Sequence, residues 1–526
     1  MKKKLGSSAF AGALLLTVIA AGCSAPNEPA AMKDATPDSP SAATNAAKDA
    51  TKTIKLEMVE NGWFNTPTDA GNPWQQWIKD TFNIELTMNA MPMADMETKL
   101  LVRFASTEQP DLIFSWDRNL IKKLHKQGVL LDDWTPYLSK LPNVTKTWND
   151  QMKAFATVED KLIALPKLAD AFTWTLMLRK DWLDALQLSV PTTDAELLEV
   201  LRKFTHEDPD QNGKDDTWGI SSAGSGSDVG EINVLESMYG QSGFHVGADG
   251  KMQHSIVNGT HLKFLKFMRT VVEEKLIDPD WYTQGWEQRK PKLFGGKVGT
   301  VHYPGVIVQE SEKANGATGS AVDWWEAIQI PKGAEHGGKR PPAPIAGGML
   351  AVSAQAAKDP EKMERILNFI DSTVYPTEGY WSIRWGVGVN GQKVIDLDDG
   401  AKFISLKDDP YRKDMMGLYD WGTWVATSQD RVLEGQSDSP GAADKKQLEL
   451  DGKAMAMASY TNYHELLNLD PQITSDLKKL TQEFDIKFIL GKETDYEAFK
   501  QKWLKAGGQQ LMDEAARQLK DIGMLN

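Results

Sequence analysis

The chain has 526 residues, of which 41% are hydrophobic and 18 are tryptophan, so it is long enough for two or more globular lobes. Its formal net charge of −14 argues against a protein that binds nucleic acid or lies on an anionic membrane surface. The single cysteine excludes a disulfide within the chain, so the body must be stabilised by packing and by any metal that it binds.

The N-terminus has the pattern of an export signal. Three lysines at 2–4 precede an apolar segment at 9–21 that is too short to be read as a membrane span. The only cysteine, Cys23, follows an Ala-Ala-Gly sequence, as in a lipoprotein cleavage site. We predict a signal peptide at 1–22 and a palmitate-type lipid anchor on Cys23, with an ordinary secretory signal as the alternative. Residues 23–52 lack periodicity and are predicted to form a disordered tether.

The first part of the body alternates between strand and helix patterns. This βαβ order predicts a doubly wound α/β lobe, in which ligands bind beyond the carboxyl ends of the strands. The predicted strands are 53–60, 82–88 and 111–114, and the predicted helices are 72–80, 96–104 and one that ends at Gly128.

A polar turn follows the third predicted strand, where such a lobe binds its ligand. It contains Trp116, Asp117 and Arg118. A tryptophan offers a flat apolar face, and Asp and Arg offer directional hydrogen bonds, which together suit a sugar ring. The alternative is a structural turn in which the charges cap the next helix and Trp116 lies in the core.

Segment 110–133 resembles the equivalent segment of bacterial maltodextrin-binding proteins, in which a Trp and an Asp-Arg pair grip the sugar. The resemblance to family 1 extracellular solute-binding proteins covers most of residues 53–526. It implies a two-lobed, type II periplasmic-binding-protein-like α/β fold with a ligand cleft between the lobes. It places lobe 1 at about 53–168 plus about 343–375, and lobe 2 at about 172–340 plus most of the C-terminal helical part.

The same resemblance selects the candidate ligand contacts. They are Trp63, Trp116, Asp117, Arg118, Tyr303 and Trp385. The sequence has no HExxH, P-loop or GxSxG motif, so we predict no catalytic residues and no enzymatic activity.

A second motif, at 208–216, fits a calcium loop of the form D-x-D-x-N-G-x-x-D. Calcium prefers six to eight oxygens, and alternate residues of a tight loop can direct their oxygens inward. Position twelve is Gly219 instead of Glu, so a complete EF-hand is not expected. The motif resembles the calcium loop of alginate-oligosaccharide-binding proteins, and we predict a structural Ca²⁺, with an acidic surface turn as the alternative. The predicted ligands are Asp208, Asp210, Asn212, Lys214 (through its carbonyl oxygen) and Asp216.

Together these patterns predict a lipid-anchored extracellular substrate-binding protein that delivers an oligosaccharide to an ABC importer. Its predicted partners are the oligosaccharide and the ABC permease subunits. It is expected to be a monomer that binds no nucleic acid and contacts the cell membrane through its lipid anchor alone. The alternatives are a surface-anchored glycan hydrolase or lyase, and a peptide-binding or scaffold lipoprotein.

Overall fold

The alternation of strands and helices predicted for the first part of the body is present in the structure. The chain divides into two units, Met1–Thr44 and Asn45–Asn526, and every described residue belongs to the second. In this computed structural model the described residues are 52–61, 73–106, 108–169, 171–333, 337–389, 392–397, 400–405, 407, 432–435, 437–521 and 523–525.

Lobe 1 begins with strands that are buried almost throughout, as expected for parallel strands covered by helices. A 3₁₀ helix at Thr135–Lys140 leads into its shorter helices. The elements are β1 (Ile54–Asn61), α1 (Pro73–Phe82), β2 (Ile84–Met91), α2 (Met93–Ala105), β3 (Leu112–Ser115), α3 (Arg118–Lys126), α4 (Pro142–Lys146), α5 (Asp150–Ala156), β4 (Thr157–Val158), β5 (Lys161–Leu162) and β6 (Leu165–Pro166).

Lobe 2 follows after a short connection. Thr193 begins one of its longest helices with a capping box, in which its side chain accepts from the Glu196 N–H at 3.2 Å while Glu196 accepts from the Thr193 N–H at 3.1 Å. The elements are β7 (Thr175–Arg179), α6 (Lys180–Ala185), α7 (Asp194–His206), a 3₁₀ helix (Gly230–Met238), β8 (Phe244–Val246), β9 (Met252–His254), α8 (Ser255–Asn258), α9 (Thr260–Glu273), α10 (Trp286–Phe294), β10 (Thr300–Tyr303), α11 (Ile307–Ala314) and β11 (Trp325–Ile328).

The last third of the chain contributes to both lobes. The elements are β12 (Met349–Val352), α12 (Ala354–Ala357), α13 (Pro360–Thr373), α14 (Glu378–Trp385), β13 (Lys393–Asp396), β14 (Lys402–Ser405), β15 (Val432–Gly435), α15 (Ala442–Ala456), α16 (Tyr463–Leu466), α17 (Pro471–Ile489), α18 (Tyr496–Trp503), a π-helical turn (Leu504–Gly508) and α19 (Gln509–Asp521).

Each lobe contains a sheet whose strand ends at one edge are placed where a ligand can bind. In lobe 1 the strand order is β2-β1-β3-β12-β6, and β1 is parallel to β2 and β3, so the carboxyl ends at Asn61 and Ser115 share one edge. In lobe 2 the order is β10-β7-β11, and both neighbours run antiparallel to β7. Thr175 at the start of β7 is opposite Tyr303 at the end of β10. This end of the second sheet therefore adjoins the segment that arrives from lobe 1.

Each lobe has its own buried core. The lobe 1 core joins β1, β2, β3, β6 and β12 to the helices around them. The lobe 2 core joins β7, α7 and α9 to the C-terminal helices α17, α18 and α19. Because the C-terminal helices share apolar contacts with lobe 2, hydrophobic burial ties the end of the chain to that lobe.

Arg340 holds together the segments that cross between the lobes. Its backbone pairs with the segment at 458–460, since its N–H donates to the Ala458 carbonyl and its carbonyl accepts from the Tyr460 N–H. Its side chain is 6% exposed and donates from Nη1 to the Phe172 carbonyl at 2.9 Å. Arg340 therefore joins its own segment to two others, to 458–460 through its backbone and to Phe172 through its buried guanidinium.

Candidate functional site

Trp116 lies where the sequence predicts it, directly after β3 at the carboxyl edge of the lobe 1 sheet. Its ring packs edge-on against Phe114, with 5.5 Å between the ring centroids. Its backbone N–H donates to Asn61 Oδ1 at 3.2 Å, which connects the ends of β3 and β1. The half-buried ring thus has a fixed position at this edge.

Asp117 is the N-cap of α3. Its Oδ1 accepts from the Asn119 N–H at 2.8 Å and from the Leu120 N–H at 3.4 Å. Such a cap satisfies backbone donors that have no partner within the helix. The structure therefore assigns Asp117 the helix-capping role that was the alternative, and ligand binding by this residue stays a prediction.

Arg118 reaches from lobe 1 to the C-terminal segment. Its Nη1 donates to the Leu467 carbonyl at 2.6 Å and more weakly to the Glu465 carbonyl at 3.4 Å. Burial lowers the pKa of Arg118 to about 10, so it remains charged at neutral pH. One turn further, Lys122 Nζ donates to the Leu469 carbonyl at 2.6 Å. We call this pair of cations the Arg118–Lys122 clamp, since it joins α3 to the segment at 465–469.

The clamp borders a small cavity. Arg118 Nε and Nη2 are buried and have no hydrogen-bond partner among the described residues. The cavity of about 220 Å³ is lined by Trp116 and Arg118 from lobe 1 and by His464 and Thr474 from the C-terminal part. Ligand binding by Arg118 and Trp116 thus stays a prediction, next to the connecting role of Arg118.

Tyr303 lies behind the surface of lobe 2 and is only 2% exposed. Its hydroxyl donates to Glu310 Oε2 at 2.7 Å, and burial raises its pKa well above the ordinary value. Its ring is parallel to that of Trp286, at 5.1 Å and 8°. The geometry makes Tyr303 a support for Trp286 and turns its hydroxyl away from the surface.

Four aromatic side chains form one continuous layer at this end of lobe 2, which we call the aromatic wall: Trp174, Trp286, His302 and Tyr303. The Trp174 ring is 5.8 Å from Trp286, 5.3 Å from His302 and 5.7 Å from Tyr303, measured between centroids. Trp174 and Trp286 are half-buried, so each residue is still partly exposed. Because Trp174 immediately precedes β7, the wall lies at the end of the sheet that adjoins lobe 1.

An ion pair with a buried arginine supports the aromatic wall. Arg289 is fully buried, its guanidinium lies 4.5 Å from the Trp286 ring, and its Nη1 donates to Glu231 Oε2 at 2.9 Å. Burial lowers the pKa of His302 to about 3, so this imidazole is neutral. A rigid aromatic face backed by a compensated charge pair suits the apolar face of a sugar ring.

Sequence reasoning did not select Trp174 or Trp286, because the chain has many tryptophans and these two are distant in sequence. The available signal was their position, since Trp174 stands immediately before a strand and Trp286 begins α10. Trp385 was selected, but it is 7% exposed in a separate cluster with Tyr380 and Ile404. Trp63 lies outside the described residues.

The acidic loop at 208–216 is closed by a lysine from another part of lobe 2. Lys297 Nζ lies 3.0 Å from Asp210 Oδ2 and 2.7 Å from Asp216 Oδ1. Both oxygens of Asp208 accept backbone N–H groups of the loop, from Asn212 at 3.1 Å and Gly213 at 3.0 Å. In the described part of the chain no three His, Cys, Asp or Glu side chains are arranged to hold a metal ion. In this arrangement an ammonium lies between two of the loop carboxylates, and the calcium prediction stays untested.

The lipidation site, Cys23, lies outside the described residues. Among the helices that the structure describes, none combines the length and the apolar composition needed to cross a membrane.

Among the proteins similar to most of the chain are two curated relatives and one solved structure. A polygalacturonan/rhamnogalacturonan-binding protein of Bacillus subtilis (strain 168) is 23% identical over 83% of this chain and 86% of its own length. Lipoprotein LipO of the same organism is 24% identical over 90% of this chain and 93% of its own. An HMO-binding, ABC-transporter-associated solute-binding protein of Bifidobacterium longum infantis has the same fold, with a TM-score of 0.66 and 18% identity. The match covers 91% of this chain and 100% of that protein.

These likenesses agree with the two-lobed, periplasmic-binding-protein-like α/β fold predicted from the sequence, and they confirm it. The family model described as "Bacterial extracellular solute-binding protein" matches residues 65–372, more than half of the chain. Since this is a family of binding proteins, the prediction of a non-enzymatic role is also confirmed. The chain belongs to the family of bacterial extracellular solute-binding proteins.

Proposed function

We propose that this protein captures an oligosaccharide between its two lobes and delivers it to the permease of an ABC importer. The aromatic wall carries the proposal. Its two half-buried tryptophans stand at the end of the lobe 2 sheet that adjoins lobe 1, and Trp116 stands at the carboxyl edge of the lobe 1 sheet. Flat rings held on both lobes can stack on opposite parts of one glycan as the lobes close.

The cargo named for similar proteins supports a glycan. The Bacillus subtilis relative is a polygalacturonan/rhamnogalacturonan-binding protein, and the Bifidobacterium structure is of an HMO-binding protein. The cores of the two lobes are separate, so a ligand between them can change how the lobes sit without disturbing either core. A binding site of this kind needs no catalytic group.

A panel of oligosaccharides, both neutral and uronic, tests the proposal on a soluble form that begins at Ser24. Ligand that binds the folded state must raise the midpoint of thermal unfolding. The variants Trp174→Ala and Trp286→Ala should weaken binding of the active glycan by about tenfold or more. If no glycan in the panel raises the midpoint or gives heat in calorimetry, the proposed cargo class is wrong.

Trp324→Ala is the matched control. Trp324 belongs to the same lobe and lies next to the first residue of β11, which pairs with Arg179 at the far end of β7. Its ring stacks on the Arg179 guanidinium at 4.0 Å, so removing it should lower stability. Glycan affinity should remain at the wild-type value, because this end of the sheet is opposite the aromatic wall.

We further propose that the protein is exported by the signal at 1–22 and anchored to the outer face of the cell membrane by a lipid on Cys23. The similarity to a lipoprotein over nine-tenths of the chain supports this location. Metabolic labelling with palmitate should mark the wild type and leave a Cys23→Ala variant unlabelled and released into the medium. Label on the Cys23→Ala variant would place the anchor elsewhere.

A further inference from the structure

The acidic loop has the spacing of a cation site, and the side chain that meets its carboxylates is a lysine. Lys297 Nζ bridges Asp210 and Asp216 at 3.0 and 2.7 Å. Asn212 closes the same cluster, since its Nδ2 donates to Asp210 Oδ2 at 2.8 Å and to Asp216 Oδ1 at 3.1 Å. Donors, rather than further oxygens, thus face the two carboxylates.

The backbone holds Lys297 in this position from both sides. Its N–H donates to the Lys292 carbonyl at 3.0 Å, and its own carbonyl accepts from the Trp218 N–H at 2.9 Å. The next residue but one, Gly299, donates its N–H to the Trp218 carbonyl at 2.9 Å. Because the backbone is already ordered, pairing costs only side-chain conformational entropy, whereas a lysine on a mobile loop would also lose backbone entropy.

The loop cannot recover the missing carboxylate at position twelve. A Cβ atom on Gly219 would lie 2.7 Å from the Leu201 carbonyl oxygen and 2.8 Å from the Leu201 Cα atom, both of them backbone atoms. Glutamate is therefore excluded there by packing. Calcium that needs six to eight oxygens would have to find them elsewhere and also displace a bound ammonium.

We propose that the Lys297 ammonium is the resident cation of this loop and takes the place of calcium, so that the loop holds its shape without metal. The two contacts of its Nζ, at 3.0 Å to Asp210 Oδ2 and 2.7 Å to Asp216 Oδ1, place the ammonium between the loop carboxylates.

Because of where Lys297 lies, an ammonium in the place of calcium has a structural consequence. Trp218, two residues after the loop, forms a β-bridge with Val298, which leads into β10. β10 ends at Tyr303, the residue that supports Trp286 in the aromatic wall. Lys297 thus connects the loop to the beginning of β10. The other end of β10 carries Tyr303, which is part of the aromatic wall.

Thermal unfolding of the wild type with about 1 mM calcium and with a chelator tests the proposal, in the concentration range where extracellular modules bind this ion. We expect the two midpoints to agree within the error of the measurement. A loss of several degrees on chelation would overturn the proposal and establish the calcium loop that the spacing predicts.

Two substitutions make the test specific. Lys297→Met should lower the unfolding midpoint measured in chelator. Lys297→Arg keeps the charge, so its midpoint should be close to that of the wild type. A Lys297→Met protein as stable as the wild type in chelator would overturn the proposal. Lys292→Met is the matched control, because Lys292 also bridges two aspartates, Asp278 at 2.7 Å and Asp280 at 2.6 Å, neither of which belongs to the loop. Lys292→Met, like the wild type, should give the same midpoint with calcium and with chelator.

Discussion

Replacing Arg118 by methionine separates a connecting role from a ligand-binding role. Methionine keeps an apolar stem of similar length but removes the donor to the Leu467 carbonyl. A charge-assisted hydrogen bond contributes about 1.5–3 kcal/mol. The fall of the Arg118 pKa from 12.5 to about 10 corresponds to a desolvation penalty of about 3 kcal/mol. These two effects offset each other, so the net change comes from the carbonyl that is left behind.

The carbonyl belongs to Leu467, which is only 3% exposed. An unsatisfied buried acceptor costs about 1–3 kcal/mol, and this is the loss expected in the free energy of unfolding of Arg118→Met. Urea unfolding without ligand measures the loss, and calorimetry with the active glycan measures affinity. Lys126→Met, an exposed site on the same helix, is the control. Unchanged stability together with abolished glycan binding would refute the connecting role and make Arg118 a ligand contact.

Three further substitutions test assignments made from the structure. Asp117→Ala should lower the free energy of unfolding by about 1 kcal/mol through loss of the α3 cap and leave glycan affinity unchanged; lost affinity at full stability would restore its predicted ligand role. Tyr303→Phe should reduce stability by about 1 kcal/mol, because the inward hydrogen bond is lost, and should bind glycan nearly as well as the wild type. Affinity reduced as far as in Trp286→Ala would make its hydroxyl a ligand contact. His261→Gln should cost about 3–5 kcal/mol, since it removes a buried cation 2.8 Å from the buried Asp485 carboxylate. Burial opposes the charge on His261, but Asp485 and Glu236 together outweigh it and raise the pKa to about 10. The difference from wild type should therefore be full below about pH 6.5 and shrink as the pH rises through 10, and a difference that is constant with pH would contradict this reasoning.

Local patterns predicted the elements that position the site. The buried apolar run at 111–114 became β3, and the amphipathic pattern that follows became α3, with Gly128 after it in the left-handed conformation that ends helices. Thr193 and Glu196, three residues apart, form the capping box of α7. Such features are encoded by neighbours in the chain, so the sequence alone contains the information for them.

Other roles depended on partners that are distant in sequence. Arg118 carries the charge that suits a ligand, yet the carbonyls of the segment at 465–469 hold it. The spacing at 208–216 is that of a calcium loop, yet Lys297, which precedes β10, reaches its carboxylates. No periodicity or motif in the sequence indicates which distant residue will contact a given side chain in the folded protein.

The sequence by itself determined the βα order, the helix caps and the membership of a solute-binding family, because these follow from local spacing and a long, dispersed pattern of similar residues. Only the tertiary structure decided which of the tryptophans form the aromatic wall, which cation meets the acidic loop and which arginines hold the lobes together. The physical reason is that packing brings together side chains from separate elements, and burial then determines whether each one can reach a ligand.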